Sequence, residues 1–172
     1  KKIYFLDRNK ISSNKFNDQI FDLIKKYRPN ILISYGCQKI DIKKIKTKKI
    51  KLLNIHGGLL PDYKGVNTNF WPHYKNKSNY VGLTLHSLER KVDSGNIFFQ
   101  TSVEITNKDT INTLSCKAIK NFADIVPKKI LLLLKKNFYA KGFKIQSKSK
   151  LFLKKDFDPS HIHKAYENLN NF

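Results

Sequence analysis

Two short aliphatic runs, over 30–35 and 50–55, are separated by a lysine-covered stretch, and a segment of helical period precedes the first. The first reads Asn30-Ile31-Leu32-Ile33-Ser34-Tyr35, a nearly continuous apolar strand of the kind that parallel sheets bury on both faces. Parallel neighbours need a crossover. Gly36-Cys37-Gln38 supplies the turn into it, and Ile40, Ile42 and Ile45 predict a short helix within it. Upstream, Ser12-Ser13-Asn14 offers N-caps for a helix carrying Phe16, Ile20, Leu23, Ile24 and Tyr27 on one face, and Pro29 stops it. One more strand is expected over 3–6. Strands and helices alternating at this spacing point to an α/β sheet.

Downstream, 80–88 and 97–105 read as strands joined by a tight polar segment over 89–96. Residues 57–69 form a loop rich in Gly, Pro and Asn, and Phe70-Trp71-Pro72-His73-Tyr74 begins or fills a short helix. Asp109 or Thr110 can cap a long helix with Ile111, Leu114, Ala118, Phe122, Ile125 and Val126 on one face, which Pro127 is expected to kink or interrupt. Beyond 143, Ile145, Leu151 and Leu153 suggest a small hairpin around Ser147-Lys148-Ser149. Asp158-Pro159-Ser160 then starts a terminal helix through Leu169.

In open α/β sheets, ligands sit beyond the carboxyl ends of the strands. The strand over 50–55 delivers Asn54 and His56 to that edge, Gly82-Leu83-Thr84-Leu85-His86 runs toward it, and Val92-Asp93-Ser94-Gly95 turns beside it. An amide, two imidazoles and a carboxylate gathered there can hold a carbonyl oxygen as it becomes an oxyanion and can carry off a proton. That is acyl-transfer chemistry. Taken singly, each residue has a plainer reading: a structural histidine, an Asp-Ser-Gly turn, and turn glycines at Gly57, Gly58 and Gly65. Phe70, Trp71 and Tyr74 can stack on a base or sugar or simply pack, and His161 and His163 are too few for a metal set.

The run Asn54-Ile55-His56, then Leu59-Leu60-Pro61 with Gly65, then Gly82-x-Thr84-x-His86, then Asp93-x-Gly95 resembles the folate-dependent formyltransferases. That group includes glycinamide ribonucleotide, methionyl-tRNA and sugar N-formyltransferases. The resemblance implies a Rossmann-like formyltransferase fold, with a mostly parallel sheet flanked by helices and a short C-terminal hairpin and helix. Relatives carry a strand, a Gly-rich loop and a helix before the matched region, and there is no methionine anywhere, so a chain truncated at its N-terminus is expected. It also implies a catalytic domain over 1–138 and an extension over 139–172.

In that reading 10-formyltetrahydrofolate is the co-substrate and no metal is needed. Asn54 and a ring N–H of His56 face the oxyanion, and Asp93 orients His56 and receives the amine's proton. Cys37, Gln38 and Lys39 on one side and Arg90 on the other line the pterin slot, while Gly57, Gly58 and His86 lie toward the acceptor. A nucleotide-linked amino sugar is the first choice of acceptor, ahead of glycinamide ribonucleotide. Methionyl-tRNA ranks lower because the tail after Lys136 is too short for a further barrel domain. A different class stays open: a non-catalytic fragment of the fold that binds folate or nucleic acid.

The formal charge of +21 raises nucleic acid or an anionic surface as partners. Only Arg8, Arg28 and Arg90 are arginines, however, and the lysines are scattered, whereas planar recognition of phosphate and bases favours Arg. A small amine acceptor is therefore preferred over nucleic acid, tRNA excepted in the alternative reading. Cys37 and Cys116 make no disulfide framework, and no apolar run is long enough for a signal peptide or a membrane span, which leads to the expectation of a cytoplasmic protein.

Overall fold

The computed structural model describes residues 12–45, 50–135, 142–144 and 149–171, so the strand expected over 3–6 and the hairpin centre at Ser147-Lys148 lie outside the described residues. Helix α1 (Ser13–Tyr27) begins where the sequence offered a cap: the Ser12 hydroxyl accepts from the Lys15 N–H at 3.4 Å. It ends at Arg28, whose left-handed backbone (φ 44°) turns the chain while its N–H still reaches the Ile24 carbonyl. Asn17, buried on this helix, donates to the Lys39 carbonyl at 3.3 Å and accepts from the Asp41 N–H at 2.7 Å. The helix thereby fixes the loop that follows the first strand. In place of the expected helix at 40–45 there is only a single 3-10 turn, Ile42–Lys44.

Four strands form the main sheet: β1 (Ile31–Tyr35), β2 (Lys51–His56), then β4 (Gly82–Ser87) and β5 (Ile97–Ser102), in that spatial order. The remaining short strand of this part of the chain, β3 (Lys64–Gly65), stands apart. Strands β1 and β2 are parallel, while β2/β4 and β4/β5 are antiparallel, so the described sheet is mixed. The tight 89–96 connection decides the last pairing, because only antiparallel neighbours can be joined by so short a link. Strand β1 differs from its expected burial: Ile33 is 41% and Tyr35 53% exposed. Its apolar run sits at the edge of the sheet among the described residues.

The core lies between the sheet and helix α3 (Ile111–Lys135), where Leu114, Ala118 and Phe122 meet Leu53, Leu83 and Leu85. Pro127 stays inside α3 without ending it. Both Pro127 and Ala123, whose carbonyl the proline leaves free, face solvent, so water can satisfy the lost bond. Ile125, placed on the buried face by its spacing, is instead 38% exposed.

A second cluster packs Trp71, on the short helix α2 (Trp71–Tyr74), against Tyr63 and Phe152. Phe152 belongs to β6 (Leu151–Phe152), which pairs in parallel with β3, while Phe143 bridges Ile97. The outgoing arm of the expected hairpin thus finds its partner in the loop after β2. Helix α4 (His161–Asn170) places Ala165 and Leu169 in the main core, and its Asn168 caps α2 by donating to the His73 and Tyr74 carbonyls. Among the described residues no helix is long and apolar enough to cross a membrane.

Candidate active site

Alternation along β2 puts Asn54 and His56 on one face at its C-terminal end. Ser34, directly opposite Asn54 in the parallel register, donates its hydroxyl to Asn54 Oδ1 at 2.7 Å. With the carbonyl oxygen held there, Asn54 Nδ2 points the other way and lies 3.1 Å from His86 Nε2. The other ring nitrogen of His86 is 2.7 Å from the Ser87 carbonyl, which can only accept. The proton of neutral His86 therefore sits on Nδ1, and Nε2 accepts from Asn54. One hydrogen of the Asn54 amide remains for a ligand.

His56 is 6% exposed, and its Nε2 lies 2.7 Å from the Tyr63 carbonyl, so Nε2–H donates there. The ring N–H expected to face an oxyanion has this backbone partner instead. His56 Nδ1 faces Asp93 Oδ2 at 3.4 Å, and Asp93 Oδ1 is 3.6 Å from His86 Nε2. Asp93 stands in the left-handed region (φ 48°), and its Oδ2 also accepts the Gly65 N–H at 2.8 Å.

Burial pushes the His56 pKa below the ordinary histidine value, against the opposing pull of the Asp93 charge and the Tyr63 carbonyl. Burial pushes the Asp93 carboxyl up, but His86 and His56, whenever their rings carry a second proton, and the Gly65 N–H outweigh it and hold the group below the usual carboxylate range. The resting pair is then a neutral imidazole with its Nδ1 lone pair turned to a carboxylate. A proton arriving between them turns a repulsion into an ion pair.

All three groups open onto one cavity of about 590 Å³. Cys37, Gln38, Lys39 and Arg90 line it, and Leu88, Val92 and Leu153 supply apolar surface. A flat heterocycle with polar edges suits such a slot. Gly57 and His86 also line it. Gly58 does not: a side chain there would meet Thr68 and the Tyr63 carbonyl, so this glycine serves the packing of the loop. Trp71 is 3% exposed and Tyr74 is turned to His161, which removes both from stacking on a ligand, while Phe70 reaches a second cavity.

That second cavity, of about 530 Å³, adjoins the first at Gly57 and Thr68. Asn67, Asn69, Asn112 and Ser115 supply its polar groups and Phe70 and Phe157 its aromatic ones, and among the described residues no charged side chain lines it. The sequence reading missed the hydrogen bond from Ser34 to Asn54, the Tyr63 carbonyl and the role of Thr84. Thr84 donates to the Gly58 carbonyl and accepts from the Leu60 N–H and from Gln100, fixing the loop on which the site depends. Among the described residues no group of three or more His, Cys, Asp or Glu side chains can hold a metal.

Comparison with known proteins matches residues 3–130 to the family described as formyl transferase. A methionyl-tRNA formyltransferase of Caldicellulosiruptor saccharolyticus is 31% identical over 127 residues, covering 67% of this chain and 40% of that protein. The phosphoribosylglycinamide formyltransferase of Haemophilus influenzae is 30% identical over 124 residues, covering 72% of this chain and 58% of that one. In structure, the chain resembles WlaRD, a sugar 3N-formyltransferase crystallised in the presence of dTDP and 5-N-formyl-THF. There the TM-score is 0.64 at 28% identity, over 83% of this chain and 54% of the other. The chain therefore spans about half or less of the length of several proteins it matches.

Proposed function

This chain belongs to the formyl transferase family, and we propose that it moves a formyl group from 10-formyltetrahydrofolate to the amine of a sugar, first choice a nucleotide-linked amino sugar. The observation that carries this reading is the Asn54, His56 and Asp93 cluster on the first cavity, with a second, unlike cavity adjoining that one at Gly57 and Thr68. The slot lined by Cys37, Gln38, Lys39 and Arg90 takes the folate, whose role is to supply the formyl carbon. The second cavity takes the acceptor.

Asn54 directs its remaining amide hydrogen at the carbonyl oxygen on which negative charge develops. Asp93 and His56 Nδ1 together receive the proton that the amine gives up, the imidazolium so formed adds positive charge beside the oxyanion, and the proton passes to N10 of the folate as its bond to the formyl carbon breaks and tetrahydrofolate leaves. No covalent bond to the protein is required, which leaves Cys37 a wall residue. The amide and hydroxyl groups of Asn67, Asn112 and Ser115 suit sugar hydroxyls, with Phe70 against the ring face.

The test presents the formyl donor with a dTDP-linked amino sugar, glycinamide ribonucleotide and methionyl-tRNA in parallel, with mass detection of each product. Formylation of the amino sugar at the highest kcat/KM is expected. Formylation confined to either other acceptor would overturn the sugar reading. A further expectation concerns the charge. Binding to bulk RNA should fall by orders of magnitude between 50 and 200 mM salt, because dispersed lysines act through counterion release. A fluorescence titration against a tRNA and a random RNA should show no preference at the higher salt; a persistent preference for aminoacylated tRNA would promote methionyl-tRNA.

A further inference from the structure

We propose that Phe152, beyond the residues matched to the family, is a positioning residue that sets the His56–Asp93 pair through the 61–66 loop. This rests on the proposed role of that pair as proton acceptor. Each member of the pair is held by a backbone group of the loop: His56 by the Tyr63 carbonyl at 2.7 Å and Asp93 by the Gly65 N–H at 2.8 Å. Phe152 fixes both. Its ring is 2% exposed and lies nearly parallel to that of Tyr63 (15°, centroids 6.3 Å apart) and to that of Trp71 (17°, 4.7 Å).

The backbone of Phe152 pairs with Gly65, and its carbonyl accepts the Val66 N–H at 3.0 Å. Gly65 has φ +98°, and a Cβ there would fall on that same carbonyl oxygen, so only glycine permits the close approach that aims its N–H at Asp93. The Ser149 hydroxyl donates to the Pro61 carbonyl, tying the same two segments once more. The ring's buried partners are Tyr63, in the loop that carries the two holding groups, and Trp71, beside that loop, and none of the three belongs to the buried main core; Phe152 also lines the first cavity. Moving it therefore moves the pair before it moves the sheet.

The test follows the His56 ring by nitrogen-15 NMR across a pH titration of the full chain, the signal being assigned with His56→Gln. Methyl resonances of Leu53 and Leu114 report on the main core. Besides Asp93, His86 lies against the ring, with centroids 6.2 Å apart, and it touches the same carboxylate, so its signal is followed alongside. In Phe152→Ala the His56 midpoint is expected to move by about half a pH unit or more, since the spacing to Asp93 sets part of it. The core methyls should stay in place. Should the alanine variant not fold, Phe152→Leu, which keeps apolar bulk and removes both stacks, carries the same expectation.

In formyl transfer the same variant should lose about tenfold in kcat, as a small misplacement of reacting groups does, with the acidic limb of its pH profile displaced alongside the NMR midpoint. An unchanged His56 titration in a folded variant would overturn the proposal. If the chain transfers no formyl group while the titration still moves, the proposed reaction fails and the positioning role stands.

Discussion

Replacing Asn54 by alanine in an active form of the protein is expected to lower kcat by about 100- to 1,000-fold, the usual cost of removing one preorganised donor to an oxyanion. The size of the effect follows from how the amide is held. Ser34 fixes the oxygen end and His86 takes one hydrogen, so the remaining N–H is aimed before any ligand arrives. Alanine leaves both partners short of a hydrogen bond, which should cost about 1–3 kcal/mol of stability and no more. Single-turnover kinetics at saturating formyl donor and a urea midpoint measured side by side would separate the two effects. Turnover within a few-fold of the wild type, with the fold retained, would remove Asn54 from the chemistry.

How far the site could be read from residues alone depended on the kind of contact involved. Asn54 and His56 were legible because a two-residue spacing on a strand puts both side chains on one face, and strand ends are where such sheets bind ligands. Asp93 was legible only in company with them, since an Asp-Ser-Gly sequence is equally a turn. The Tyr63 carbonyl, which takes the His56 N–H, left no trace in the sequence, because any residue type presents a carbonyl. Gly57 and Gly58 are adjacent and look alike, yet one lines the cavity and the other is closed off by Thr68. Loop geometry, not residue type, separates them.

The same distinction holds for the fold. Hydrophobic period located α1, β2, β4 and α3, but it could not say which strand would stand at an edge, and so the apolar run of β1 was expected to be more buried than it is. Pro127 was expected to kink or interrupt α3, and its solvent-facing position explains why the helix continues through it. Phe152 sits in a two-residue strand, too short to show any period, and its pairing with Gly65 joins distant parts of the chain. A long-range contact of that kind carries no local signal.

His73 is the second residue whose replacement should have a large effect, in this case on stability. Its side chain is fully buried, Nδ1 lies 2.9 Å from the Ser78 hydroxyl, and Nε2 meets no hydrogen-bond partner among the described residues. Burial pushes its pKa down from 6.5 to about 4. Because the folded value is the lower one, the unfolded chain binds the proton more readily below pH 6.5. Stability from this source is complete above about pH 7, falls as the pH drops through 6.5 toward 4, and falls no further below 4. A shift of that size corresponds to about 3 kcal/mol. His56, also shifted down by burial, erodes stability in the same direction, so the wild-type curve alone cannot isolate His73. The difference between wild type and His73→Gln can, because the glutamine does not titrate. Urea unfolding at pH 7 and pH 4 should show that the wild type's advantage over the variant shrinks by about 3 kcal/mol on acidification. An advantage that stays constant with pH would mean that folding leaves the proton affinity of His73 unchanged, as for a ring open to water.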